Sequence, residues 1–247
     1  MSKDNKVYPM PCPICGIETN NELRIMSKED GESDWYFCTC GVVFQKEKPK
    51  HGCYDENYMG QYACAKEADL VQIHAGRTYA TVIEELVDGR KMLDVGFNLP
   101  QNMHFFRERG WITTGIDINP TFKGESSIIT GSFETYDKFK DTYDLIWMSH
   151  VFEHFDNPIE VLKKCRGLLS EGGVLYISTP DIDFMSKTGT SNWPHWTKNE
   201  HHIMWSIRSL VRELERLDFN VVLKRRNYSS RFSSWFDLQI IAQKNYF

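Results

Sequence analysis

The sequence has no apolar run long enough to cross a bilayer. Its opening residues, MSKDNKVYPMPCPICG, carry charge but neither the apolar stretch nor the small-residue cleavage site of a secretion signal. No membrane association is expected, and a cytoplasmic location is. The chain also lacks a basic excess: 34 Asp and Glu outnumber 29 Lys and Arg, for a net charge of -5. Nucleic-acid binding draws most of its affinity from Lys and Arg on phosphates, so this balance argues against such a partner. Internal repeats and low-complexity tracts are absent, which excludes solenoids and long disordered linkers. In a chain without export features, its seven cysteines read as metal ligands or buried thiols rather than disulfides.

What is present suits a folded protein: 247 residues, 41% of them hydrophobic, accommodate one medium α/β domain with a small unit beside it. We divide the chain into a module at 1–50, a helical connector at 51–90 and a main domain at 91–247. In the module, CPIC (12–15) and CTC (38–40) flank a polar hairpin with a turn near Asp30 and Gly31. The connector shows a helical stripe of Leu70, Ile73, Arg77, Ala80, Ile83, Glu84 and Val87, ending at Asp88-Gly89.

From Lys91 onward, short apolar runs alternate with amphipathic helices, the pattern of a doubly wound, mostly parallel sheet. The runs are MLDVG (92–96), WITTGID (111–117), SIIT (127–130), YDLIWM (143–148) and GVLYIST (173–179). Asn157 followed by Pro158 predicts a helix start, with Ile159, Leu162, Cys165, Leu168 and Leu169 on its inner side. Ser206 predicts another, burying Leu210, Val211 and Leu214. FNVVLK (219–224) and WFDLQIIA (235–242) are read as an antiparallel pair closing the sheet.

The first two runs of this domain end in acids, Asp94 and Asp117, separated by a turn containing Gly96. The second acid sits at the distance expected of a carboxylate that accepts hydrogen bonds from the vicinal hydroxyls of a ribose. LDVG, GIDINP, YDLIWMSHVFEHFDNP, LLSEGGVLYISTP and RLDFNVV, in that order and spacing, resemble the class I S-adenosylmethionine (SAM) methyltransferases over roughly 91–242. The resemblance implies a Rossmann-like fold with an antiparallel last strand and a SAM cofactor. It places Asp94 and Gly96 beside the methionine part, Asp117 on the ribose, Ile118 on the adenine and Ser132 and Phe133 at the adenine edge. Ser149 and His150 close the pocket. Asn98 and Pro100 stand where the family usually has its second and third glycines; Asn tolerates a left-handed backbone and Pro suits a first helical turn. The eroded turn also leaves open a non-catalytic cofactor-binding protein.

Loops after the fourth and fifth strands should face the substrate. Glu153 and His154, and then His201, are the candidate catalytic residues, His154 first, with His150 and His195 also in reach. Trp193 and Trp196 read as a lid wall, and LKRRNYSSRF (223–232) as a solvated loop or an anion contact. Cys12, Cys15, Cys38 and Cys40 resemble the two knuckles of a zinc ribbon, implying a structural zinc; His51 or Cys53 could replace one thiolate. Cys64 and Cys165 read as ordinary thiols. A ribbon joined to a methyltransferase is partly similar to sugar C-methyltransferases, which implies a small-molecule acceptor, a sugar or sugar-nucleotide, with a protein or nucleic-acid acceptor as the alternative. Tyr58 and Tyr62, between the modules, are candidates to fold over the cofactor.

Overall fold

The computed structural model describes residues 9–27, 31–47, 66–120, 125–184, 200–228 and 236–246. The turn at 28–30, the linker at 48–65 with His51, Cys53, Tyr58, Tyr62 and Cys64, and 185–199 with Trp193, His195 and Trp196 lie outside the described residues.

The N-terminal part contains the short pair β1 (Met10–Pro11) and β2 (Glu18–Thr19), then β3 (Glu22–Ser27), β4 (Gly31–Phe37) and β5 (Val42–Gln45). β3 and β4 pair antiparallel with Ser27 opposite Gly31, the expected hairpin. Helix α1 (Lys66–Leu86) follows and stops just before Asp88-Gly89, as the sequence signals. The main domain then runs β6 (Lys91–Val95), α2 (Gln101–Glu108), β7 (Ile112–Asp117), β8 (Ile128–Thr130), β9 (Tyr143–Ser149), a single 3-10 turn at Phe152–His154, α3 (Pro158–Leu168) and β10 (Leu169–Pro180). It ends with β11 (Ile203–Trp205), α4 (Ile207–Arg216), β12 (Phe219–Tyr228) and β13 (Phe236–Lys244).

Seven strands form one sheet in the order β12-β13-β10-β9-β6-β7-β8. The inner pairs are parallel, and β13 runs antiparallel between β10 and β12. This is the doubly wound, mostly parallel sheet with an antiparallel last strand that the sequence pattern implies. Because β6 is central and the order reverses beside it, a crevice opens at the carboxyl ends of β6, β7 and β9, where ligands of such sheets sit. The central strands are buried on both faces: Leu93, Val95, Ile146 and Met148 belong to one core, Met92, Leu145, Trp147 and Tyr176 to the other.

Two helix boundaries show how local chemistry sets them. Ser206 caps α4 in a reciprocal box with Ser209, each side chain accepting the other's backbone N–H at 3.1 Å. Asn157 stands at the start of α3 with Pro158 behind it, but its side chain makes no cap bond; Glu134 instead accepts the Asn157 N–H at 2.9 Å. The helix ends at Leu168, so Leu169, expected on its inner face, opens β10 and is buried in extended backbone. Helical periodicity cannot register that change, because an apolar residue suits either state.

The sequence pattern does not foretell β11. β11 leaves the main sheet's connectivity and pairs antiparallel with β5, so the N-terminal sheet runs β11-β5-β4-β3. Tyr36, Val42 and Phe44 pack in the same core as Trp205, Leu210 and Leu214. Arg212 donates to the Cys40 carbonyl at 2.9 Å. A module too small to bury a core alone thus borrows one from α4.

Candidate functional site

Asp94 is the penultimate residue of the central strand, its carboxyl buried with one weak partner among the described residues, the Asn102 amide at 3.4 Å. Burial pushes its pKa up to about 8, eased by Asn102 and aggravated by nearby Asp117. Gly96 follows with φ +67°, and a Cβ there would lie 2.6 Å from Val151 Cγ2, so the turn needs glycine for both backbone and space. Asn98 takes the left-handed backbone that its side chain tolerates, φ 50°. Its N–H donates to Asp117 Oδ2 at 3.0 Å, and the Asn119 N–H donates to Asp117 Oδ1 at 2.8 Å. Pro100 immediately precedes α2 and its carbonyl accepts the His104 N–H at 2.8 Å, so the loop closes without its missing glycines.

Ile118, directly beyond Asp117, is 48% exposed, an apolar side chain laid bare at the lip of the crevice. Ser132 is half-buried, and its carbonyl accepts the Tyr136 N–H at 3.0 Å. Phe133 points its ring into the core against Phe139 and Phe155, with the Lys164 ammonium 5.0 Å from its centroid. Only its backbone is left to face a ligand. Ser149 ends β9, paired with Ser178.

These residues fit a SAM-type ligand. The buried Asp94 carboxyl has no cationic partner among the described residues and suits an amino group, and each Asp117 oxygen, already accepting one N–H, retains a lone pair for a ribose hydroxyl.

Beside this crevice, at the ends of β9 and β10, the structure gathers the catalytic candidates. His150 has φ 53°, an unusual backbone for a residue with a Cβ. Its Nε2 lies 3.1 Å from Asp237 Oδ2 and its Nδ1 3.6 Å from Glu153 Oε1. Burial would lower this imidazole, but Asp237 and Glu153 together raise it to about 10. Glu153 is wholly buried. Although burial opposes its ionisation, His150, His154 and His201 hold it well below the usual carboxylate range. Thr179 donates to Glu153 Oε2 at 2.7 Å, while Nε2 of His154 and Nε2 of His201 each lie 3.9 Å from Oε1. The His154 and His201 rings are 4.9 Å apart. His201 is delivered by the N-terminal sheet: Gln45 donates through its side chain to the His201 carbonyl at 2.5 Å and through its backbone to the His202 carbonyl at 3.1 Å.

Asp237 was not anticipated. An acid inside the apolar strand WFDLQIIA was its only signal, and it pairs with a histidine on another strand end, a relation no local pattern encodes. Asp181, fully buried and bonded to Arg226 Nε at 2.6 Å, was missed for the same reason.

The domain match settles the family: residues 71–224, more than half of the chain, match the methyltransferase domain. The chain belongs to the methyltransferase-domain family. It is a SAM-dependent methyltransferase. The plantazolicin methyltransferase BpumL in complex with SAH is similar in fold, with a TM-score of 0.62 at 16% identity over 79% of this chain and 92% of that one. The magnesium protoporphyrin IX methyltransferase ChlM of Synechocystis PCC 6803 with bound SAH gives 0.53 at 12% identity over 72% and 84%. The glycopeptide N-methyltransferase MtfA gives 0.52 at 13% identity over 70% and 90%. No curated protein matches the sequence. At these identities the likeness carries the fold, while the three named acceptor types differ.

In the N-terminal part of this methyltransferase, Cys12 and Cys40 lie 3.7 Å apart and Cys15 and Cys38 3.4 Å apart, sulfur to sulfur, and all four sulfurs lie within 4.8 Å of one another. A tetrahedron with zinc–sulfur bonds of about 2.3 Å has edges of about 3.8 Å. The single residue between Cys38 and Cys40 therefore does not prevent a four-thiolate set. Cys165 is buried, and that burial pushes its thiol well above the usual cysteine range, the ordinary core thiol expected. No described helix is long and apolar enough to cross a membrane.

Proposed function

We propose that this methyltransferase acts on a small molecule whose accepting atom must lose a proton, a sugar or sugar-nucleotide hydroxyl or carbon. The observation that carries this reading is the buried Glu153 carboxylate with three imidazoles within 3.6 to 3.9 Å of one oxygen, beside the cofactor crevice. A soft thiol or a neutral amine needs no such proton-accepting group.

In this reading Asp94 receives the amino group of the cofactor, Gly96 and Asn98 give it backbone room, Asp117 holds the ribose and Ile118 covers the adenine. Ser132 and the Phe133 backbone border the adenine edge, and Ser149 and His150 close the pocket. When bound, SAM supplies an electrophilic methyl group that is displaced in line from a sulfonium. His154 takes the acceptor's proton at Nε2, its Nδ1–H being anchored on the Glu200 carbonyl at 2.9 Å. Glu153 stabilises the imidazolium that results, and His201 and His150 share its charge. Cys12, Cys15, Cys38 and Cys40 hold a structural zinc. That zinc would keep β5, and with it His201, in place; a closed four-thiolate set has no open position for chemistry.

Methyl-labelled SAM offered with sugar nucleotides, peptides and RNA in parallel tests the proposal. Label should enter the sugar nucleotide, and His154→Ala should lower turnover on the order of 10²- to 10⁴-fold while leaving cofactor affinity within a few-fold. Label in peptide or RNA alone, or full activity in the variant, would overturn it.

A further inference from the structure

We propose that Glu153, His154 and His201 form a second metal site, for a divalent first-row transition metal, at the carboxyl ends of β9 and β10. One ligand atom from each lies within 4.8 Å of the other two. Two imidazoles and one carboxylate on one side of an ion, with the other side open, is a donor set that suits zinc, iron and their neighbours.

Three observations point to an ion rather than to chance proximity. First, the Glu153 side chain is completely buried, and while Oε2 accepts the Thr179 hydroxyl, Oε1 has no hydrogen-bond partner among the described residues. A buried carboxylate oxygen that its three imidazole neighbours reach only at 3.6 to 3.9 Å, beyond hydrogen-bond length, is poorly satisfied, and a cation seated among them would satisfy it. Second, His154 is oriented as metal ligands are. Its Nδ1 donates to a backbone carbonyl, which fixes the tautomer and leaves the Nε2 lone pair directed toward Glu153. Third, the His201–His202 segment is fixed through its backbone. The His202 N–H donates to the Glu153 carbonyl at 2.8 Å, and Gln45 grips the His201 carbonyl. The two segments that supply the ligands are thereby tied together before any ion arrives.

Metal–nitrogen and metal–oxygen bonds of about 2.1 Å set ligand atoms roughly 3.0 to 3.4 Å apart. Glu153 Oε1 now lies 3.9 Å from each ring nitrogen and all three ligand atoms lie within 4.8 Å of one another, so closure around an ion is a matter of side-chain rotations that draw them inward. His150, tied to Asp237, faces the same oxygen and would hold the carboxylate from behind, as a positioning residue.

The role of the ion, unlike the site, rests on the methyl-transfer reading above. Its open positions would take the acceptor's oxygen, and a coordinated hydroxyl gives up its proton to water more readily. In the loaded protein His154 is then a ligand, and the ion replaces it as the agent of deprotonation.

Titration of the full-length, zinc-loaded protein with Co²⁺ tests the site, followed by visible absorption, metal counting and X-ray absorption at the cobalt edge. One added Co²⁺ per chain is expected, with imidazole nitrogen and oxygen scatterers and no sulfur. Glu153→Gln and His201→Asn should each weaken that binding at least tenfold. No added ion, sulfur in the cobalt shell, or folded variants that bind Co²⁺ unchanged would overturn the proposal. If the variants fail to fold, the wild-type cobalt shell decides alone. Titrating S-adenosylhomocysteine into the same samples separates the failures: cofactor binding without cobalt sinks only the metal site, and cobalt without cofactor sinks only the methyl-transfer reading.

Discussion

Asp94 makes cofactor affinity depend on pH in a way that can be worked out beforehand. Its carboxyl is buried with Asn102 as partner and Asp117 as the nearest like charge, and its pKa stands at about 8. In the proposed pose it meets the cofactor's ammonium, which draws it into the charged form. Binding below pH 8 must therefore expel a proton, at a cost of about 1.4 kcal/mol per pH unit. Between pH 5.5 and 7, where an α-amino group stays protonated, the Kd for S-adenosylhomocysteine should fall about tenfold per unit. At pH 7 about 0.9 proton should leave per ligand bound. Calorimetry in buffers of different ionisation enthalpy reads both quantities. Asp94→Asn, which cannot titrate, should bind weakly with a flat profile. The same shift acts on the free protein with a definite sign. The folded carboxyl keeps its proton between its ordinary value of 3.8 and about 8 while the unfolded one has lost it, so stability falls as pH rises through that window. A wild-type Kd that does not move between pH 5.5 and 7 would refute the reasoning.

Two further outcomes follow from other parts of the molecule. Cys12→Ser with Cys15→Ser should remove one zinc per chain by mass spectrometry and lower the melting temperature of the whole chain, because β5 and β11 share a ladder and Val42, Phe44 and Trp205 share a core; an unchanged melt would show that the thiolates hold nothing. Gly96→Ala combines a left-handed backbone with a Cβ 2.6 Å from Val151 Cγ2, and should cost roughly 1–3 kcal/mol of stability and at least tenfold in cofactor affinity by thermal shift and calorimetry.

Much of the fold was legible because its signals are local. Alternating apolar runs mark β6, β7, β9 and β10, Ser206 marks α4, and the acids Asp94 and Asp117 stand at the carboxyl ends of β6 and β7. What escaped was set by distant parts of the chain. β11 is three residues long and exists because β5 offers an edge; Asp237 matters because β13 inserts between β10 and β12 and so brings it to His150. Glu153, His154 and His201 were each nominated by residue type, yet nothing in their spacing showed that the last would come back to the first two. Phe133 illustrates the converse: its place in the motif was read, but the direction of its ring was decided by Phe139, Phe155 and Lys164.

Titration of the purified chain with S-adenosylhomocysteine tests the central claim most directly. We predict saturable binding of one ligand per chain, weakened about 10- to 100-fold in Asp117→Ala through the loss of charge-assisted hydrogen bonds to the ribose. A flat titration of the folded wild-type protein at millimolar ligand would contradict the account.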